Sequence, residues 1–177
     1  GLSWMAFMER FGFGACLADD MGLGKTVQLI ALLQHERAMA AKAEAGSDAA
    51  MVGPTLLVVP MSVIGNWVKE TERFAPELKV LVHHGPERRL GESFVEAAKE
   101  HDLILTTYAL VNRDQELFEA VPWGRMVLDE AQFVKNPQAK QSQAVRAVPA
   151  PRRIALTGTP VENRLSELWS IMDFLNP

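Results

Sequence analysis

Short apolar runs alternate with longer amphipathic segments along most of this chain, and that alternation restricts the fold more than any other feature. Residues 14–18, 55–59, 78–83, 103–107, 125–128 and 153–157 are rich in aliphatic and β-branched side chains. Most are too uniformly apolar for a sheet with one wet face, so they predict central, parallel strands covered on both sides. Between them, residues 26–39, 62–74, 91–100, 109–120, 139–147 and 166–175 carry helical spacing, as in Leu168, Ile171, Met172 and Leu175. Strict alternation predicts an α/β fold, a doubly wound, mostly parallel sheet with helices on both faces, whose ligands sit beyond the carboxyl ends of the strands. A chain of 177 residues, 48% of them hydrophobic, can bury the core of one such domain.

Several classes of protein are disfavoured. The formal charge of -4 speaks against a basic coat for nucleic acid, so any such contact must be local. One cysteine, Cys16, cannot close an internal disulfide, and the four histidines have no paired Cys/His spacing for zinc. The stretch 49–68 carries no charge and is long enough to span a membrane, but Pro54, Pro60, Gly65 and Asn66 interrupt it. Pro60 divides it into a buried strand and a helix starting near Ser62. The N-terminus has neither a basic leader with an apolar run nor an initiator Met, which suits an internal piece of a longer protein. Residues 40–53 have little to pack with and read as a helix tail followed by an exposed or disordered loop. There is no internal repeat.

Chemistry concentrates where strands are expected to end. After the strand at 14–18 comes DDMGLGKT, Asp19 to Thr26, leading into a helix. A loop so placed aims backbone N–H groups and a helix N-terminus at an anion, and Gly22 and Gly24 permit the tight wrap. Asp20, Met21, Gly22, Leu23, Gly24, Lys25 and Thr26 are therefore the candidate phosphate loop of an ATP site. Lys25 grips the β- and γ-phosphates, and the Thr26 hydroxyl ligates Mg2+. The general pattern has glycine six residues before the lysine; here that position is Asp19. Gly12 and Gly14 fail as a dinucleotide fingerprint, because its third glycine position is Leu17 and a strand follows. At 126–132, MVLDEAQ runs a buried strand into two acids. Asp129 is the second candidate metal ligand, and Glu130 the group that orients or deprotonates water. A plain helix N-terminus would also favour two acids, and the glycine loop upstream decides for catalysis.

ADDMGLGKT, LVVPMSVIGNW, TTY, LDEAQFVKNP and LTGTPVENRLSELWSIMDFLNP occur in that order and cover nearly the whole chain. Together they resemble the first RecA-like lobe of Swi/Snf-family DNA-dependent ATPases, in helicase superfamily two. The LTGTP and ENRLSELW blocks separate this family from DEAD-box RNA helicases, where a Ser-Ala-Thr segment is usual. DEAQ is similar to bacterial members, whereas many eukaryotic remodellers carry Gly and His in the last two places. The resemblance implies a single P-loop NTPase lobe over 1–177 with ATP and Mg2+ as cofactors. It also implies duplex DNA and DNA-bound protein complexes as partners, and a cytoplasmic, nucleoid-associated setting, or the nucleus in a eukaryote. By the same resemblance an adenine-reading glutamine precedes Gly1. A second RecA-like lobe, bearing the arginine that stabilises the transition state, follows Pro177.

Carried over residue by residue, Gln132 touches the γ-phosphate region and links it to the coupling segment Thr157, Gly158, Thr159 and Pro160. DNA backbone contacts fall on Pro60, Ser62, Asn66 and Trp67, on Thr106, Thr107 and Tyr108, and near Lys135 and Asn136. Hydroxyls, amides and helix N-termini bind phosphate without a basic surface. Other readings stay open. Trp67 could be core, and the threonine pair plain strand residues. Trp4, Phe7, Phe11 and Phe13 read as core or lobe-edge packing ahead of adenine stacking. His83 and His84, adjacent on a strand, point to opposite faces. Arg88 and Arg89 read as solvated surface, with a phosphate contact as the alternative. An RNA helicase lobe and a nucleotide-dependent scaffold remain the rival functions.

Overall fold

A computed structural model describes residues 1–20, 22–42, 53–160 and 165–177. All six apolar runs become strands: β1 (Ala15–Leu17), β2 (Thr55–Val59), β3 (Val80–Val82), β4 (Leu103–Thr107), β5 (Arg125–Leu128) and β6 (Arg153–Leu156). They form one parallel sheet in the order β1-β6-β5-β2-β4-β3.

Period-two alternation divides the core between the faces. Leu56, Val58, Ile104, Met126, Leu128 and Ala155 point to one side. There they meet α4 (Glu92–Glu100), α5 (Tyr108–Arg113), α6 (Gln115–Glu119), α7 (Lys140–Ala147) and α8 (Leu165–Leu175). Leu57, Val59, Leu103, Leu105, Val127, Ile154 and Leu156 point to the other. That face is covered by α1 (Leu2–Arg10), α2 (Lys25–Lys42) and α3 (Ile64–Phe74). Burial on both faces is why these strands read as continuous apolar runs. Among the described residues no helix is long and apolar enough to cross a membrane. Pro60 does end β2, and a 3-10 turn, Met61–Val63, leads into α3.

Two expectations need correction, and a third is met as far as the described residues reach. The helix expected over 109–120 is broken at Asp114, whose carboxylate is held by Arg88 and Arg113. The helix tail expected at the start of 40–53 is present, since α2 runs to Lys42, and residues 43–52 lie outside the described residues. Of the two packing roles expected for the N-terminal aromatics, core is ruled out: Trp4, Phe7, Phe11 and Phe13 are 42%, 57%, 60% and 57% exposed, which leaves the lobe edge. Residues 2–10 form a helix whose packed side is Leu2, Met5, Ala6 and Met8. Trp4, Phe7 and Phe11 repeat three and four residues apart on the opposite side, and the rings of Phe7 and Phe11 contact each other at 4.8 Å.

That helix is tied to the sheet by charge. Arg125, buried at the start of β5, hydrogen-bonds Glu9 of α1 at 2.6 Å and Glu36 of α2 at 2.5 Å. Burial alone would depress its pKa, but the two carboxylates outweigh burial and raise it. Such a cluster holds α1 and α2 in register at a desolvation cost that only complete pairing offsets.

Candidate functional site

β1 ends at Leu17 and α2 starts at Lys25. In the loop between them Gly22 and Gly24 have φ of 84° and 76°. A Cβ at either would meet nothing within 4 Å, so conformation rather than space calls for glycine there. The first N–H groups of α2 have no carbonyl inside the helix and face the carboxyl edge of the sheet, the arrangement that binds anions. Lys25 Nζ donates to the carbonyl oxygens of Asp19 at 2.6 Å and Asp20 at 3.1 Å, so its charge lies folded over the loop. Gln28, one turn on, donates to the Asp19 carboxylate at 3.1 Å. This gives the unusual Asp19 a structural use. Met21 lies outside the described residues.

At the end of β5 the Asp129 N–H donates to the Val58 carbonyl at 2.9 Å. Its carboxylate accepts the Glu130 N–H at 2.9 Å on Oδ1 and the Trp67 indole N–H at 2.8 Å on Oδ2. Burial raises the Asp129 pKa, the two donors and Lys25 lower it, and nearby Glu130 raises it again; the net direction is upward. Glu130 is the one non-glycine residue with positive φ among the described residues, at 50°. This left-handed turn swings its carboxylate toward Gln132, whose Nε2 donates to Oε2 at 2.6 Å.

β6 lies between β1 and β5. From its end, Thr157 donates its hydroxyl to Gln132 Oε1 at 3.1 Å and accepts the Thr159 N–H at 3.1 Å. The Thr157 N–H donates to the Leu17 carbonyl at 3.1 Å, just before the glycine loop. A continuous chain of hydrogen bonds thus runs from Glu130 through Gln132 and Thr157 to Thr159. It joins the acids to the segment carrying Gly158 and Pro160. Residues 161–164, which include the start of the ENRLSELW block at Glu162, lie outside the described residues.

On the other half of the edge, a groove of about 800 Å³ lies beyond β2, β3 and β4. Pro60, Ser62, Thr107 and Tyr108 line it with His84, Arg88, Arg113 and Phe133. Two of the residues expected at the DNA face inward in this structure. Trp67 is 1% exposed with its N–H turned inward to Asp129, and Thr106 is fully buried with its hydroxyl donating to the His83 carbonyl at 3.2 Å. Thr107 caps α5 by accepting the Leu110 N–H at 3.3 Å. Tyr108 is among the residues lining the groove but is buried, and its hydroxyl donates inward to the Asp129 carbonyl at 2.6 Å. Asn66 and Asn136 are exposed, and Lys135 pairs with Glu167 at 3.4 Å; none of the three lines the groove. Arg88 is not solvated surface, because it forks onto Asp114 at 2.9 and 3.3 Å. Arg89 is exposed. His83 and His84 lie just past the end of β3 rather than on it, and still part ways: His83 is buried and His84 exposed.

The SNF2-related domain model matches residues 1–177, the full chain. The chain belongs to the SNF2-related family. A putative ATP-dependent helicase/translocase of Bacillus subtilis, YwqA, is 47% identical over 99% of this chain, which spans 18% of that protein. Helicase SWR1 of Cryptococcus neoformans is 40% identical over 100% of this chain, which spans 14% of it. The solved Sulfolobus solfataricus SWI2/SNF2 ATPase core in complex with dsDNA superposes with a TM-score of 0.84 at 45% identity, covering 100% of this chain and 34% of that one. The RecA-like sheet of the family is therefore the fold of this chain, and the chain is a minor part of the length of these relatives.

Within this family frame, sequence reasoning missed the inward donors Trp67 and Tyr108, the Gln28–Asp19 pair and the Arg88–Asp114 fork. Only the first two had a signal. A buried Trp or Tyr must find a partner for its polar atom, and the nearest strand end carries two acids.

Proposed function

We propose that this chain is the nucleotide-binding lobe of a DNA-dependent motor ATPase. It hydrolyses ATP at an interface with a second RecA-like lobe of the same parent chain, and it translocates on duplex DNA to remodel protein–DNA complexes. The observation that carries this reading is the hydrogen-bonded chain Glu130–Gln132–Thr157–Thr159, strung across the sheet edge beside the glycine loop. A phosphate loop alone would serve any nucleotide-binding module. A loop joined through a polar relay to an acid pair and to a segment leaving the sheet suits turnover coupled to motion.

In this reading Lys25 exchanges its two carbonyl partners for phosphate oxygens, and the N–H groups of Gly22 to Thr26 cradle them. Mg2+ takes one or two carboxylates plus phosphates and water, and the Asp129 carboxylate with the Thr26 hydroxyl suits that donor set. When bound, the ion neutralises charge on the β- and γ-phosphates. Glu130 orients the attacking water and takes its proton, and Gln132 holds the Glu130 carboxylate in place while touching the γ-phosphate region. Thr157 then carries the change toward Gly158 and Thr159. Duplex DNA lies along the groove against Pro60, Ser62 and Thr107, with Arg113 and His84 at its wall and Asn66, Lys135 and Asn136 extending the footprint. Contacts of this kind position the backbone and carry no base sequence. The SWI2/SNF2 core solved with dsDNA supports duplex DNA as the track. The Bacillus relative suits a bacterial parent, for which we propose a nucleoid-associated setting, and the fungal one a eukaryotic parent, for which we propose the nucleus.

The test is steady-state ATP hydrolysis by this chain and by the two-lobe parent, each without nucleic acid and with duplex DNA, single-stranded DNA or structured RNA. The single lobe should be nearly inactive, because an arginine from a second lobe contributes roughly 10³ to 10⁵ in rate. The parent should respond to duplex DNA. Strong DNA-stimulated turnover by the lobe alone would refute the split site, and stimulation of the parent by RNA alone would make it an RNA helicase.

A further inference from the structure

The two elements that follow the groove strands each send one buried polar atom to the same residue. From α3 the Trp67 indole N–H reaches Asp129 Oδ2 at 2.8 Å, and from the first residue of α5 the Tyr108 hydroxyl reaches the Asp129 carbonyl oxygen at 2.6 Å. Packing alone would be met by phenylalanine at either position. The polar atoms instead fix both ends of the residue preceding Glu130, whose left-handed backbone (φ 50°, ψ 55°) a side chain adopts only where its surroundings hold it.

Both donors are also connected to the groove. The Tyr108 ring stacks on Phe133 at 5.3 Å and 17°, and Phe133 is half exposed and lines the groove. Trp67 sits one turn into α3, directly after the Met61–Val63 turn whose Ser62 lines the same groove. We infer that Trp67 and Tyr108 are positioning residues that hold the Asp129–Glu130 turn from the groove side, so that an occupant of the groove bears on the geometry of the two acids. This rests on the reading of Asp129 and Glu130 given above. Phe133 is the contact point: it belongs to the same 3-10 turn as Gln132, so pressure on its ring reaches the acids both through Tyr108 and along the backbone.

The experiment uses this chain labelled with 15N, whose four tryptophans give four indole N–H resonances. Trp67→Phe assigns the Trp67 signal. That signal should move in Asp129→Asn, in Tyr108→Phe, and when a short duplex DNA is added. Alongside it, the Mg2+ concentration for half-maximal binding of a fluorescent ATP analogue is measured in wild type, Trp67→Phe and Tyr108→Phe. It should rise roughly tenfold in the variants, the size of effect seen when a group orienting a metal ligand is lost. Binding in EDTA should stay unchanged. Tyr108→Phe keeps the ring stack and guards against misfolding in Trp67→Phe. A Trp67 signal blind to Asp129→Asn, or unchanged Mg2+ dependence in both variants while wild type binds normally, overturns the inference alone. Failure of wild type to bind the analogue with or without Mg2+ overturns the functional reading and the inference with it.

Discussion

On the β1–β6–β5 side of the sheet edge Lys25, Thr26, Glu130 and Gln132 are all partly accessible, whereas on the β2–β4 side Trp67, Thr106 and Tyr108 are buried. The difference follows from where each group stands relative to the end of its strand. The nucleotide side draws on loops and the first turn of a helix, where the backbone itself offers donors. The groove side draws partly on residues still inside β4 and α3, where period two and period 3.6 turn every other candidate into the core. Neighbours in one motif therefore divide their work: Ser62 and Thr107 face the groove, while Trp67 and Tyr108 brace the acids across the sheet.

The sharpest break between the sides is expected at Glu130. In the two-lobe protein Glu130→Gln should lower turnover by roughly 10² to 10⁴, the usual share of a general base. The amide still fits, so ATP affinity and DNA affinity should hold. Turnover near the wild-type rate would assign the base elsewhere. Next in size is Lys25→Ala, which should weaken ATP binding by calorimetry about ten- to a hundredfold, from the loss of a charge-assisted contact of about 1.5 to 3 kcal/mol. The side chain is partly exposed and, among the described residues, hydrogen-bonds only its own loop, so the fold and DNA affinity should persist.

A smaller effect should appear on the other side. Arg113 is 58% exposed at the groove and shares Asp114 with Arg88, so its partner stays satisfied without it. Arg113→Ala in the two-lobe protein should reduce the salt slope of duplex binding by about one and leave ATP affinity unchanged. Loss of ATP affinity with an unaltered salt slope would erase the division between the two sides.

How much was legible in the sequence follows the same division. Strands β2, β4 and β5 were placed to the residue because both faces are buried and the apolar runs have sharp polar ends. The glycine loop and the two acids were legible because their chemistry needs fixed spacing. α1 was not, because its aromatic side competes with a packed side made of Leu2, Met5, Ala6 and Met8, and size favoured the wrong face. The break at Asp114 and the inward turn of Tyr108 depend on partners 26 and 21 residues away, Arg88 and Asp129, which no local pattern announces.

The smallest expected effect concerns His83, the buried neighbour of the groove. Its ring lies 4.5 Å from the Phe94 ring and 5.3 Å from the Phe118 ring, and its Nε2 faces Asp114 at 3.4 Å. Burial lowers its pKa below the ordinary 6.5, the contact with Asp114 opposes that, and the charges of Arg88 and His84 add to the lowering. A depressed imidazole is neutral in the folded state over a range where the unfolded chain binds a proton. Stability from this group is therefore complete above about pH 6.5 and is lost as pH falls toward the folded value, with a slope of at most about 1.4 kcal/mol per pH unit. His83→Phe removes the titrating group and keeps an aromatic ring between Phe94 and Phe118, while Asp114 retains Arg88 and Arg113. The difference in melting temperature between wild type and His83→Phe should thus shift in favour of the variant between pH 7 and pH 5. A constant difference across that range would mean that His83 carries no such linkage.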